Sequence, residues 1–180
     1  MYNKYNADVI RDSVVKKKLN ILIVDDDDNS RESLRDMILS RGHNVSTLDD
    51  GMKCVNRCSE TKYDIIFMDY YIGDLDGELT GTDITGMIKE CFDIDSDIYA
   101  YTGESSSEAV KNFKKYDMKG AFIKPIEPKL INSFFNIIEN NKTDDTTNSN
   151  IAHKELLKLS MKARNFMFFS KKRIQNTVFN

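Results

Sequence analysis

Long apolar runs, histidines and cysteines are what this 180-residue chain has little of. No stretch approaches the ~18–20 consecutive apolar residues of a membrane span, which excludes an integral helical membrane protein and leaves no transmembrane segment. The first twenty residues are polar, carry the Lys16-Lys17-Lys18 cluster and lack the apolar centre of a secretory signal. Three cysteines, Cys54, Cys58 and Cys91, form an odd and sparse set. They imply reduced thiols in a cytosol-like compartment, so a soluble, cytoplasmic protein is expected. Two histidines and no Cys-x-x-Cys pair argue against structural zinc.

What is present suffices for a core. At 40% hydrophobic and 10% aromatic residues, wholesale disorder is ruled out. The length fits one ordinary domain with short extensions. The formal net charge of −3 hides a segregation. Residues 1–20 carry five basic and two acidic side chains, residues 21–142 fourteen against twenty-four, and residues 151–180 seven against one. An acidic body lies between two basic ends. The expected organisation is a basic N-terminal extension (1–18), a folded domain (19–141), a linker without large apolar residues (142–150) and a basic C-terminal tail (151–180).

Within 19–141, short apolar runs alternate with amphipathic stretches. Ile21-Leu22-Ile23-Val24 is a strand of the kind buried on both faces, stopped by four aspartates. Asn29 or Ser30 can cap the helix that follows, with Leu34, Met37 and Ile38 on one face and Gly42 as its stop. Val45 to Leu48 reads as a second strand, Gly51 to Cys58 as a helix, and Asp64 to Met68 as a third strand ending at Asp69. Helices over 82–92, 105–116 and 128–140 alternate with strands over 97–101 and 121–123. Five strand–helix alternations with short connections imply an α/β fold: a five-stranded parallel, doubly wound sheet with helices on both faces.

Such sheets carry their working site in the crevice at the carboxyl ends of the strands. Asp25 and Asp26, Asp69, Thr102 and Lys124 stand at those ends, each directly after an apolar run. Converging carboxylates repel one another unless a cation lies among them, and an all-oxygen donor set suits a hard divalent ion such as Mg²⁺. Beside that ion, a hydroxyl and an ammonium suit phosphoryl transfer to a free carboxylate. Asp69 is the best nucleophile, standing alone at the end of the central strand. Taken singly, the aspartates also read as turn formers and Lys124 as a surface lysine; it is their joint order that points to a site.

The segments Ile21 to Asp26, Asp64 to Asp69, Tyr101-Thr102-Gly103 and Ile123-Lys124-Pro125 resemble those of a response-regulator receiver domain of two-component and phosphorelay signalling. The resemblance covers residues 19–141 and implies the flavodoxin-like receiver fold with strand order 2-1-3-4-5. It implies that Asp69 accepts a phosphoryl group from a histidine kinase or histidine-phosphotransfer protein, with no enzymatic activity beyond self-catalysed transfer and dephosphorylation. Asp26, Asp69 and the Tyr71 carbonyl would ligate Mg²⁺, with Asp25 acting through water. Thr102 would hydrogen-bond the phosphoryl group and Lys124 would pair with it, through a Lys124-Pro125 peptide that is usually cis in the family.

Three features depart from the family pattern. The loop from Tyr70 to Gly81 is long and carries Asp74, Asp76 and Glu78. Ala121 stands where an aromatic switch residue is usual, and Phe122 cannot replace it because adjacent strand residues face opposite sides. Tyr71 and Glu104 occupy positions that tune phosphate lifetime in the family.

The tail over 151–169 reads as a basic amphipathic helix with Leu156, Leu159, Ala163 and Phe166 or Met167 on one stripe. Packing on the domain or on a second copy, as a homodimer, is its ordinary reading; an acidic surface or partner groove is the other. Thirty residues hold no recognised nucleic-acid motif, and nucleic acid is not expected. Cys54 and Cys58 read as small core residues and His43 as a surface residue. A stand-alone phosphorylation switch or relay intermediate is the main expectation. One alternative is an adaptor that has lost phosphorylation. Another is a haloacid-dehalogenase-like phosphatase with Asp25 as nucleophile and Asp27 as acid, which would lack a second acidic pair beyond Glu127 and leave Asp69 without a role.

Overall fold

A computed structural model describes residues 17–72, 79–141 and 146–169. Asp74, Asp76 and Glu78, the Lys171-Lys172-Arg173 cluster and most of the N-terminal extension lie outside the described residues.

Strand β1 (Asn20–Val24) is paired in parallel with β2 (Asn44–Leu48) on one side and β3 (Ile65–Met68) on the other. Parallel pairing continues through β4 (Asp97–Thr102) to β5 (Gly120–Ile123), giving the expected order 2-1-3-4-5. A sixth strand, β6 (Phe166–Phe168), then adds antiparallel to β5. The sheet is therefore six-stranded with one antiparallel edge, where five parallel strands were expected. The C-terminal helix also differs: α6 spans Thr146–Lys162, beginning inside the segment read as a linker and ending before the apolar run Phe166 to Phe169. That run is short enough to fit either periodicity, and the open edge of β5 selects the strand.

Helices α1 (Asp28–Leu39), α2 (Gly51–Glu60), α3 (Gly81–Cys91), α4 (Ser107–Lys115) and α5 (Pro128–Asn141) fill the connections. Period-2 alternation divides the β-sheet residues between two cores. Ile21, Ile23, Ile65, Phe67, Tyr99 and Phe122 share one core with Leu34 and Ile38 of α1, Phe134 and Phe135 of α5, Leu156 of α6 and Phe166. Leu22, Val24, Ile66, Met68, Ile98, Ala100 and Ala121 share the other with Cys54 and Cys58 of α2, Ile84 and Ile88 of α3, and Phe113 of α4. The doubly wound layering thus follows from strands apolar on both faces. Ala121 and Phe122 belong to different cores, so no aromatic ring stands at the Ala121 position.

Local signals hold up with two corrections. Gly42 ends α1 with φ of +89°, a backbone region that favours glycine. The cap of α1, however, is Asp27 and not Asn29 or Ser30: its carboxylate accepts from the Ser30 N–H at 2.7 Å. His43 is buried, not on the surface, and its Nε2 lies 3.1 Å from Oε1 of Glu139, which also accepts from Arg41. This cluster ties the α1–β2 turn to α5 across 96 residues of sequence.

Candidate functional site

The site forms because β1 ends level with β3, and β4 ends level with β5. Val24 pairs with Met68, and the Asp69 N–H donates to the Val24 carbonyl at 2.9 Å, so Asp25 and Asp69 emerge side by side. Thr102 pairs with Ile123, and the Lys124 N–H donates to the Thr102 carbonyl at 2.9 Å. Asp25, Asp69 and Lys124 directly follow the last residues of β1, β3 and β5, while Thr102 is itself the last residue of β4.

Asp25, Asp26 and Asp69 each offer a carboxylate oxygen within 4.8 Å of the others. Asp25 and Asp69 are buried and Asp26 is exposed. The Lys124 ammonium bridges the buried pair, its Nζ 2.8 Å from Oδ2 of Asp25 and 2.6 Å from Oδ2 of Asp69. Contact with Asp25 is an ion pair without hydrogen-bond alignment, since that buried Oδ2 has no hydrogen-bond partner. Burial drives the Asp25 carboxyl up to about 6, against the opposing pull of the Lys124 ammonium. Burial also lowers the Lys124 ammonium, but the pull of the Asp25 and Asp69 carboxylates outweighs it and leaves Lys124 raised.

The Lys124 ammonium pairs with two of the three clustered carboxylates. An all-oxygen cluster with a buried, unaligned carboxylate oxygen fits a hard divalent cation. Asp25, Asp26 and Asp69 are the groups that could hold one.

Thr102 is buried, and its Oγ1 accepts from the Glu104 N–H at 3.1 Å. Glu104 in turn accepts from the Ser106 N–H at 2.7 Å, a bond that holds its carboxyl below the usual range at the start of α4. Tyr71 bridges Thr80 and is 62% exposed, with its ring 4.7 Å from that of Tyr70. Asp27, the acid of the phosphatase alternative, is committed to its capping bond with Ser30.

Three residues of the site escaped the sequence reading. Arg31 on α1 donates to the Asp25 carbonyl at 2.6 Å and so pins the turn after β1. Tyr101 lays its ring 5.0 Å from the Lys124 Nζ and donates its hydroxyl to the Ser30 carbonyl at 3.3 Å. At Gly81, a Cβ would lie 1.7 Å from the Asp69 carbonyl oxygen, so α3 can start against the Asp69 backbone only with glycine there. A glycine opening a helix directly after the long loop was the one available signal.

Comparison with known proteins identifies the family and the fold. Residues 21–136 match the model of the response regulator receiver domain family. The chain is 28% identical over 120 residues to the transcription factor SKN7 of Candida albicans, covering 67% of this chain and 21% of that protein. It is 27% identical over 110 residues to the transcription factor prr1 of Schizosaccharomyces pombe, covering 61% of this chain and 20% of that one. The chain therefore spans about a fifth of the length of these curated relatives. Among solved structures, the chemotaxis protein CheY4 of Vibrio cholerae superposes with a TM-score of 0.60 at 21% identity, covering 67% of this chain and 98% of that one. A CheY-like receiver domain protein of Methanospirillum hungatei gives 0.61 at 17% identity, covering 69% and 95%. With its strand order, its two-faced core and its matched residues, the chain belongs to the response regulator receiver domain family.

Proposed function

We propose that this receiver is an Mg²⁺-dependent phosphorylation switch or phosphorelay intermediate that takes a phosphoryl group onto Asp69 from a histidine kinase or histidine-phosphotransfer protein. One observation carries the reading: a single ammonium, Lys124, spans Asp25 and Asp69 at 2.8 and 2.6 Å in the crevice at the strand ends. Transfer forms a bond between an Asp69 carboxylate oxygen and phosphorus and breaks the P–N bond of the donor imidazole, which leaves with a proton. Lys124 moves its hydrogen bond from Asp69 to a phosphoryl oxygen and neutralises charge there, while the Thr102 hydroxyl donates to another. Mg²⁺, held by Asp26, Asp69 and the Tyr71 carbonyl with Asp25 behind a water, would supply further neutralisation of the phosphoryl oxygens. Tyr71, whose ring is exposed, and Glu104 stand at the positions that tune phosphate lifetime in the family.

The test is intact-mass analysis after incubation with Mg²⁺ and acetyl phosphate, and in parallel with a phosphohistidine donor. One phosphoryl adduct is expected, lost with chelator and lost in Asp69→Asn. An adduct of undiminished yield in Asp69→Asn would reject the reading.

A further inference from the structure

The chain behind Lys124 is held by the C-terminal tail. Asn165 lies in the turn between α6 and β6. Its carbonyl accepts from the Ile123 N–H at 2.9 Å, and its side-chain Nδ2 donates to the Pro125 carbonyl at 2.9 Å. These two partners flank Lys124, whose own N–H donates to Thr102. The backbone that carries the bridging ammonium is therefore clamped by β4 on one side and by Asn165 on the other.

The clamp is itself built in. Gly120 admits β6 because a Cβ there would lie 2.4 Å from the Met167 carbonyl oxygen. Phe166 is buried with its ring 4.6 Å from that of Phe122. Ser160 of α6 donates to the Phe166 carbonyl at 3.3 Å and accepts from the Phe168 N–H at 3.0 Å, so the helix holds the strand's outer edge. Beyond it, the Phe169 N–H donates to the Lys119 carbonyl at 2.9 Å, tying the same segment to the loop before β5.

We infer that Asn165 is a positioning residue for Lys124, and that docking of the α6–β6 strap is thermodynamically coupled to occupancy of the Asp25–Asp69 site. Any cation or phosphoryl group that takes over those carboxylates displaces the ammonium from its present contacts and loads the backbone of residues 123–125. Asn165 bonds that backbone on both sides of Lys124, so the load reaches the strap. Coupling of this kind is reciprocal: strap docking must alter occupancy as much as occupancy alters docking. The direction follows from electrostatics. A firmly held ammonium competes with a cation for Asp25 and Asp69, yet it is what a phosphoryl group needs. Loosening the strap therefore favours the cation and disfavours the phosphoryl group. The kinetic part rests on the phosphoacceptor reading above; the metal part does not.

The test uses the full chain with Asn165→Ala, which removes one hydrogen bond, and Gly120→Val, which blocks the approach of Met167 and undocks β6 without touching Asn165. Calorimetry with Mg²⁺ alone and phosphorylation by acetyl phosphate are measured on each. Asn165→Ala should bind Mg²⁺ roughly threefold to tenfold more tightly and phosphorylate more slowly by a similar factor, the worth of one hydrogen bond. Asn165→Asp, which sets a carboxylate against the Pro125 carbonyl, should exceed both effects. In the unsubstituted chain, Mg²⁺ should change hydrogen exchange at the Phe169 N–H. Parallel loss of metal affinity and phosphorylation would mark a merely structural role and overturn the inference, as would unchanged values in Asn165→Ala with Phe169 exchange indifferent to Mg²⁺. If the unsubstituted chain takes no phosphoryl group, the phosphoacceptor reading fails, while the Mg²⁺ affinities and the exchange still decide the coupling.

Discussion

Asp25 shows how one buried side chain sets the behaviour of the site. Its carboxyl sits at about 6, above its ordinary 3.8, because burial penalises the charged form. A folded-state value above the unfolded one contributes stability that is present below about pH 4 and is lost as pH rises through about 6. A cation must displace that proton, so Mg²⁺ affinity should fall about tenfold per pH unit below about 6 and level off above it. Calorimetric titrations at pH 5, 6 and 7 check this, and a flat profile would show that Asp25 is already ionised. Gly81 is the second residue-scale control. Gly81→Ala would drive a methyl into the Asp69 carbonyl and force β3 and α3 apart, at about 1–3 kcal/mol. Because the displaced atom belongs to Asp69, phosphorylation should drop by at least about tenfold, more than the loss of stability explains. Comparing the melting shift with the acetyl phosphate rate separates the two.

Among the elements, legibility followed the strength of local pattern. The four apolar strand cores and the helices between them were readable because β-branched runs and helical periodicity agree with their final burial. The cap of α1 was misplaced because four consecutive aspartates offer several candidates, and only the fold shows that Asp27 caps. His43 was misread because its partner Glu139 lies on α5, too distant in sequence to be anticipated. Strand β6 was absorbed into a helix because Phe166, Met167, Phe168 and Phe169 are apolar at either period, and pairing with β5 decides between them. If β6 is an integral strand, Phe166→Ala should cost about 3–5 kcal/mol, as for a large buried ring. Met161→Ala on the neighbouring helix, where the side chain is 86% exposed, should stay within about 0.5 kcal/mol. Urea midpoints of the two variants measure this directly; equal midpoints would mean that the tail does not pack on the sheet.

For the whole molecule, the parallel register is what converts scattered residues into a site. Asp25, Asp69, Thr102 and Lys124 are spread over about a hundred positions, and their convergence was readable because each directly follows an apolar run in an alternating α/β sequence. Arg31, Tyr101 and Gly81 were not, since their roles depend on distances between elements rather than on position at a strand end. The three converging carboxylates are also the groups proposed to hold Mg²⁺. Mg²⁺ at a hundred times its dissociation constant should add about 2.7 kcal/mol of stability. That corresponds to several degrees in Tm for a chain of this length, and the shift should vanish with chelator and in Asp26→Asn. An equal shift in that variant would place the cation elsewhere. The most direct measurement is to locate the covalent adduct: phosphorylate the full chain, reduce the acyl phosphate with borohydride and map the peptides by mass. Conversion of Asp69 to homoserine is the expected result. Conversion at Asp25, or an adduct at any other residue, would contradict the assignment of Asp69 as the phosphoacceptor.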